Sequence, residues 1–152
     1  MNYNELYEIG KMKITLPEER ESNNYFSNAM ELKSINFDPF TTYNLRSVKS
    51  RIPQYNFVMF YAPWCGYCQR LKDLWKQFAK EMKYKNVKIQ SFNCEKNKDY
   101  LLLMNEEFYK SNKVKFVPSY PTLKFYKDGI PIKTFTNERT LPNLISFVRE
   151  SL

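Results

Sequence analysis

The hydrophobic positions of this chain recur at two periods, one typical of helices and one typical of strands. Over residues 71–82, apolar side chains fall every three or four positions while lysines occupy the opposite side, which predicts an amphipathic helix. The apolar side chains of this helix are Leu71, Leu74, Trp75, Phe78, Ala79 and Met82. Upstream of it, residues 57–61 are apolar at every position, which predicts a central strand covered on both faces.

Shorter patterns predict the other elements of the chain. The predicted strands cover residues 12–16, 35–37, 87–92, 123–126 and 132–135, and the predicted helices cover residues 41–49, 99–109 and 140–148. Lys127-Asp128-Gly129, between the last two strands, predicts a hairpin turn. Thr140 can cap the last helix, and Pro142 is tolerated in its first turn. Because a hairpin adds antiparallel pairing, this order predicts an α/β sandwich with a mixed sheet.

Charge divides the chain into two parts. The 152 residues suit one domain with a modest extension, and 43% hydrophobic residues are enough for a core. Residues 1–33 carry a net charge of −2 and the remainder carries +10, and polar sequence gives way to regular apolar patterning at the same place. We therefore predict an N-terminal extension over residues 1–33 and one domain over residues 34–152. Three roles are open for the extension: an addition to the sheet, a dimer contact, or a partly disordered tail.

Composition disfavours several classes of protein. Three cysteines and no histidine cannot supply the four Cys or His ligands of a structural zinc site, so we expect no metal and no other cofactor. An odd number of cysteines fits a disulfide-stapled secreted scaffold poorly. No apolar stretch approaches the roughly 18 residues of a membrane span, and the first residues do not resemble a secretory signal, so we expect a soluble intracellular protein. Frequent Asn, Lys, Tyr, Ile and Phe indicate a protist or large-virus source, which leaves a virion location open.

Two cysteines separated by two residues lie between the apolar strand and the amphipathic helix, in Trp64-Cys65-Gly66-Tyr67-Cys68. A Cys-x-x-Cys at a strand-to-helix junction indicates a redox dithiol. The N-terminus of a helix carries about half a positive charge, which favours the thiolate of Cys65, and the thiolate is the nucleophile of disulfide exchange. Cys68 follows one turn later, where it can resolve a mixed disulfide formed by Cys65.

Three separated segments give the chain a resemblance to the thioredoxin superfamily, and within it to the catalytic domain of protein disulfide isomerases. The segments are Phe60-Tyr61-Ala62-Pro63-Trp64-Cys65-Gly66-Tyr67-Cys68, Tyr120-Pro121-Thr122 and Glu138-Arg139-Thr140. The resemblance covers residues 34–152 and implies a thioredoxin-like three-layer sandwich, with helices on both faces of a mixed central sheet. It also implies a thiol–disulfide oxidoreductase or isomerase whose partners are protein thiols and disulfides and an unidentified electron donor or acceptor.

The resemblance also implies roles for individual residues. The implied catalytic pair is Cys65 and Cys68, the implied supporting residues are Trp64, Gly66, Tyr67 and Arg139, and the implied substrate-binding residues are Tyr120, Pro121 and Thr122. The bond between Tyr120 and Pro121 is expected to be cis and to lie beside the cysteines. Arg139 either approaches the second cysteine and favours its thiolate or is an ordinary surface arginine. Tyr67 either contacts apolar substrate segments or only faces solvent.

Four positions depart from the isomerase pattern. Met59 stands where family members bury a Glu or Asp that assists proton transfer from the second cysteine. Tyr67 replaces a His, Gln69 replaces a frequent Lys, and Asp73 replaces a proline that kinks the helix. Deprotonation of Cys68 then needs another base. The absent His is expected to place the reduction potential between the about −180 mV of isomerase-like sites and the about −270 mV of thioredoxin-like sites.

Two other functions stay open at this point. A thioredoxin-fold chaperone or protein-binding module with little redox turnover fits the missing acid at position 59. The net charge of +8 would suit nucleic acid, but the lysines of the 71–82 helix are spaced like a solvated face, so we do not expect nucleic-acid binding.

The third cysteine, Cys94, follows the strand of residues 87–92 and is interpreted as a core thiol, with a regulatory thiol as the alternative.

Overall fold

A central strand, β1 (Tyr55–Tyr61), organises the computed structural model, which describes residues 26, 30–47, 50–83 and 85–152. The other strands of its sheet are β2 (Lys88–Asn93), β3 (Thr122–Lys127) and β4 (Ile130–Thr134), and the four are ordered β2-β1-β3-β4. β1 pairs in parallel with β2 and antiparallel with β3, and β3 pairs antiparallel with β4. The predicted mixed sheet is confirmed.

Helices cover both faces of this sheet, as predicted. α1 (Gly66–Glu81) and a C-terminal helix, Leu141–Ser151, pack on one face, and α2 (Lys98–Asn112) packs on the other. We refer to the C-terminal helix as α3. Successive β1 side chains point to opposite faces, so Met59 joins the core beneath α1 while Phe60 joins the core beneath α2. All residues from 57 to 61 are 0% exposed, which confirms the predicted central strand.

The hairpin turn and the helix cap that the sequence predicts are both present. Asp128 and Gly129 form the loop between β3 and β4 with φ angles of 50° and 84°, in the left-handed region that a tight hairpin turn requires. Thr140 precedes α3, and its hydroxyl oxygen accepts a hydrogen bond from the Asn143 backbone N–H at 3.2 Å. Pro142 lies in the first turn of α3, where no intrahelical hydrogen bond needs its missing N–H.

The strand predicted over residues 35–37 is wrong. Residues Ser34–Asn36 form one turn of 3₁₀-helix, and Ile35 is 68% exposed. The Asn36 side chain accepts a hydrogen bond from the Lys33 backbone N–H at 2.8 Å, and the Asn36 N–H donates to the Lys33 carbonyl at 2.9 Å. These local bonds satisfy the backbone without strand pairing, which is the usual way in which asparagine interrupts regular structure. Phe37 keeps a single antiparallel bridge to Leu45.

The helix predicted over residues 41–49 is also absent from its described part, residues 41–47. The Thr42 backbone N–H donates to the Glu107 carboxylate of α2 at 2.7 Å, and the Leu45 N–H donates to the Gly129 carbonyl at 2.8 Å. These tertiary hydrogen bonds use backbone donors that a helix would need for itself. Leu45 still points into the core, because it is only 6% exposed.

The N-terminal part of the described chain adds to the outer edge of the sheet at one place. Glu31 forms a parallel bridge with Ser91 of β2, and the Leu32 N–H donates to the Ser91 carbonyl at 2.8 Å. The strand predicted over residues 12–16 lies outside the described residues, and the domain boundary at Lys33 stays a prediction. Among the described residues, no helix combines the length and the hydropathy that crossing a membrane requires.

Replacing Gly129 by alanine tests the packing of the hairpin turn. A Cβ at Gly129 would lie 2.5 Å from the Leu45 carbonyl oxygen, and the φ angle of +84° disfavours any other residue. We expect Gly129→Ala to lower the free energy of unfolding by about 1–2 kcal/mol or more, measured by urea denaturation. Gly66→Ala is the matched control, because a Cβ there meets only Arg70 Nη1 at 3.6 Å. Equal stability of the two variants would contradict this account of the turn.

Candidate active site

The two cysteines of the motif lie at the junction between β1 and α1. Cys65 is the N-cap residue of α1, and its Sγ accepts a hydrogen bond from the Cys68 backbone N–H across 3.4 Å. The Cys65 backbone N–H donates to the Ala62 carbonyl at 3.0 Å, which closes the turn between strand and helix. Both cysteines are free thiols in this structure. The junction therefore holds the two sulfur atoms within one helical turn.

Burial distinguishes the two thiols. Cys65 is 8% exposed, whereas Cys68 is 0% exposed. Burial raises the pKa of Cys68 to about 12, although a hydrogen bond with the Ala62 backbone and the charge of Arg139 act in the opposite direction. At pH 7 the Cys68 side chain is therefore protonated. Any reaction in which Cys68 is the nucleophile needs a group that accepts its proton.

The loop that precedes β3 lies beside Cys65. The peptide bond between Tyr120 and Pro121 is cis, as the sequence resemblance implies. The Cys65 thiol donates to the Tyr120 carbonyl across 3.5 Å, and Arg139 Nη2 donates to the Pro121 carbonyl across 3.4 Å. The positive charge of Arg139 also lies close enough to lower the pKa of Cys68. Segments that are far apart in the sequence thus meet around the two thiols.

Exposed aromatic rings form a rim around this site. Trp64 and Tyr67 are each 63% exposed. The Trp64 ring contacts Tyr120 edge-on with 5.7 Å between ring centroids, and Trp64 Nε1 donates to the Glu95 carboxylate at 2.6 Å. The Tyr67 ring lies 4.6 Å from the Arg70 guanidinium carbon. The contacts with Tyr120 and Glu95 therefore fix the orientation of the Trp64 indole, while much of its surface stays accessible to a second molecule.

Two other residues of the predicted site, Gly66 and Thr122, shape the backbone around the thiols. Gly66 is the first residue of α1, and the space around it admits a methyl group. Thr122 begins β3, and its hydroxyl donates to the Ser119 carbonyl at 2.6 Å. This bond closes the turn that contains Pro121, so Thr122 supports the loop beside Cys65.

A half-buried carboxyl group that the sequence analysis did not identify, Glu31, lies at the edge of the sheet. The Tyr61 hydroxyl donates to the Glu31 carboxyl, and the Ser91 hydroxyl lies within hydrogen-bonding reach of it while donating to the Met30 carbonyl across 3.4 Å. Burial raises the pKa of Glu31 to about 7, against the opposing effects of these hydrogen bonds and of the Lys96 charge. In the sequence, Glu31 is one acid in a polar segment. The position of Glu31 in the fold follows from its bridge to Ser91 and its hydrogen bond with Tyr61. Long-range contacts of this kind have no local signal in the sequence.

The third cysteine is buried, as predicted. Cys94 follows β2 and is 1% exposed, and its thiol donates to the Phe92 carbonyl across 3.8 Å. Burial raises the pKa of the Cys94 thiol, and the next largest cause is the charge of Cys68. In the part of the chain that the structure describes, no group of three or more His, Cys, Asp and Glu side chains is arranged to hold a metal ion.

The fold and the site together define a thioredoxin-fold protein with a paired thiol at a helix N-terminus. The family model described as Thioredoxin matches residues 42–150. The chain belongs to the thioredoxin family.

Curated relatives that are similar to the chain include proteins named as disulfide isomerases. A protein disulfide-isomerase of Schizosaccharomyces pombe is 30% identical over 145 residues, which are 93% of this chain and 33% of that protein. A thioredoxin domain-containing protein 5 homolog of Drosophila melanogaster is 33% identical over 98 residues, 63% of this chain and 21% of that protein. The chain therefore spans only about a fifth to a third of the length of these relatives.

Solved structures agree with this fold. The Trx4 domain of ERdj5 matches with a TM-score of 0.56 at 17% identity, covering 83% of this chain and 96% of that one. Human ERp44 matches with a TM-score of 0.55 at 19% identity, covering 80% of this chain and 32% of that one. At these identities the likeness concerns the fold alone.

Alkylation of the reduced protein tests the difference between the thiols. We expect iodoacetamide near neutral pH to modify Cys65 first, because Cys68 is fully buried and its pKa is raised to about 12. Cys94 is expected to react only after denaturation, since it is 1% exposed. Peptide mapping after short exposures identifies the modified residue. Modification of Cys68 before Cys65 would contradict the arrangement described here.

Proposed function

We propose that this protein is a thiol–disulfide oxidoreductase that acts on protein substrates through the dithiol of Cys65 and Cys68. The strongest support is the asymmetry of the two thiols. Cys65 lies at the N-terminus of α1, partly exposed beside the Tyr120 carbonyl, and Cys68 lies buried and protonated behind it. A thiol at a helix N-terminus is suited to attack, and a protected second thiol is suited to resolve the product.

The proposed reaction has two exchanges. Cys65 Sγ attacks a substrate disulfide, so that one substrate sulfur leaves as a thiolate and the other becomes bonded to Cys65. Cys68 Sγ then attacks Cys65 Sγ, which forms the Cys65–Cys68 bond and breaks the bond to the substrate. The substrate gains two electrons, the protein dithiol loses them, and an external electron donor reduces the protein again. In the reverse direction the same steps oxidise a substrate dithiol.

The surroundings of Cys65 support an extended polypeptide as substrate. The Tyr120 carbonyl lies 3.5 Å from Cys65 Sγ, so a peptide bonded to Cys65 would pass close to this acceptor and donate a backbone N–H to it. The exposed rings of Trp64 and Tyr67 flank the same place and offer apolar area to side chains of that peptide. Arg139, which lowers the pKa of Cys68, would stabilise the negative charge that develops when Cys68 attacks.

A second candidate function is a protein-binding module with little redox turnover. The exposed aromatic rim would serve this function without any chemistry at sulfur. Met59 beneath α1 also removes an acid that disulfide isomerases use for proton transfer. Turnover with a disulfide substrate separates the two functions.

Insulin reduction by the protein in the presence of dithiothreitol tests the proposal. We expect the wild type to accelerate reduction above the rate of dithiothreitol alone, and Cys65→Ser to return the rate to that background, since the attacking sulfur is missing. Cys68→Ser should accumulate a mixed disulfide between Cys65 and insulin, visible by non-reducing electrophoresis. Cys94→Ser is the matched control, because it removes a buried thiol outside the proposed reaction and should keep acceleration.

Two outcomes would contradict the redox function. Wild-type protein that is folded but gives no acceleration would favour the binding module. Acceleration that survives Cys65→Ser but disappears in Cys94→Ser would move the reaction to another thiol.

A further inference from the structure

One row of side chains at paired positions runs across the sheet beneath α1. Ser91 of β2 pairs in register with Met59 of β1, and on its other side Ser91 bridges Glu31 in parallel. Side chains at paired positions point to the same face of a sheet. Met59 belongs to the core cluster that contains Cys68, so Glu31 and Ser91 point toward α1 as well. The row therefore carries an acid at position 31 and none at position 59.

The Glu31 carboxyl is built into this layer by specific contacts. It accepts the hydroxyl hydrogen of Tyr61, a fully buried residue whose ring is packed edge-on by Phe26 with 5.2 Å between centroids. Ser91, 0% exposed, lies beside the carboxyl and lowers its pKa, and the Ser91 hydroxyl donates to the Met30 carbonyl across 3.4 Å. Tyr61 ends β1, and the chain reaches Cys65 four residues later. Glu31 is thus half-buried and held by the residue that ends the strand leading to the dithiol.

The titratable groups around Glu31 come from three elements. Tyr61 faces it from β1, and Cys94 and Lys96 interact with it from the segment after β2. From α1, Cys68 interacts with Cys94, the same residue with which Glu31 interacts. Burial raises the pKa of Glu31 to about 7, so both its protonated and its ionised form are populated near neutral pH. An ordinary exposed Glu is almost fully ionised at this pH.

We propose that Glu31 is the proton acceptor for Cys68 in this protein, a role that the apolar side chain of Met59 cannot have. The inference rests on the proposed redox function. When Cys68 Sγ attacks Cys65 Sγ, the Cys65–Cys68 bond forms and the substrate sulfur leaves as a thiolate. The thiol proton of Cys68 passes to the Glu31 carboxylate, which becomes a neutral acid hydrogen-bonded to Tyr61. When the dithiol is reduced again, the same proton returns to Cys68.

Stopped-flow reaction of the reduced protein with 5,5′-dithiobis(2-nitrobenzoate) measures this step. The first thionitrobenzoate leaves when Cys65 attacks the reagent, and the second leaves when Cys68 resolves the mixed disulfide. In the wild type we expect the second phase to accelerate as pH rises toward about 7, where Glu31 ionises, and then to level off. In Glu31→Gln the second phase should be about 100-fold slower at pH 7 and should keep rising without a plateau.

Three further variants distinguish proton transfer from a structural role. Tyr61→Phe removes a hydrogen bond that lowers the pKa of Glu31, so the plateau should begin at higher pH. Met59→Glu in the Glu31→Gln background returns a carboxyl to the same row and should restore the plateau. Glu106→Gln is the matched control, because Glu106 is exposed on α2, and it should behave like the wild type.

Thermal stability gives a readout that does not depend on catalysis. A carboxyl whose pKa is higher in the folded state than in the unfolded state costs stability as pH rises from its unfolded value of about 4.5 to about 7. Glu31→Gln should therefore gain melting temperature relative to the wild type at pH 8 compared with pH 5. A constant difference between the two proteins would overturn the proposal, because Glu31 would then not titrate near neutral pH.

The outcomes separate this inference from the function on which it rests. If the wild type resolves the mixed disulfide and Glu31→Gln does so at the same rate with the same plateau, Glu31 is not the acceptor and the redox function stands. If the wild type releases no second thionitrobenzoate, Cys68 does not resolve and both proposals fall.

Discussion

The strand-to-helix junction at the end of β1 is the constraint on which the site depends. β1 is buried on both faces, so its last residues have one position relative to the rest of the core. α1 begins immediately after it, with Cys65 as N-cap and Cys68 in the first turn. The same burial that fixes the junction excludes water from Cys68 and raises its pKa to about 12. Burial of β1 and of the first turn of α1 therefore determines both the position of the dithiol and the raised pKa of Cys68.

The differences between the two thiols follow from how far each lies from this buried strand. Cys65 keeps 8% of its surface exposed and contacts the Tyr120 carbonyl, next in sequence to the exposed Trp64. Cys68 points inward and belongs to the core between α1 and the sheet. Arg139 approaches from the loop before α3, and Glu31 lies at the outer edge of the sheet. The charge of Arg139 lowers the pKa of Cys68, against the larger effect of burial.

Local pattern was sufficient to predict the elements that carry the dithiol. The stripe of α1, the apolar run of β1 and the Asp128-Gly129 turn each have a signal within a few residues, and each is present. The segment from residue 34 to residue 47 was predicted wrongly because its backbone is held by particular hydrogen bonds, from Asn36 and from Glu107 of α2. Such contacts outweigh weak periodicity.

The sequence also left the acid of the site unidentified. Met59 indicated correctly that a carboxyl is missing from β1, but the position of Glu31 depends on pairing between segments about 60 residues apart. Residue type was informative for Cys65 and Cys68 because spacing alone identifies the motif. The role of an isolated glutamate depends on its surroundings, which only the folded chain defines.

Equilibration with glutathione redox buffers, followed by acid trapping and peptide mapping of the disulfides, tests the central claim most directly. The account predicts one two-electron transition that forms a Cys65–Cys68 bond, with Cys94 reduced throughout and a midpoint between about −180 and about −270 mV. A bond that includes Cys94, or protein that carries only glutathione adducts and never an internal disulfide, would contradict it.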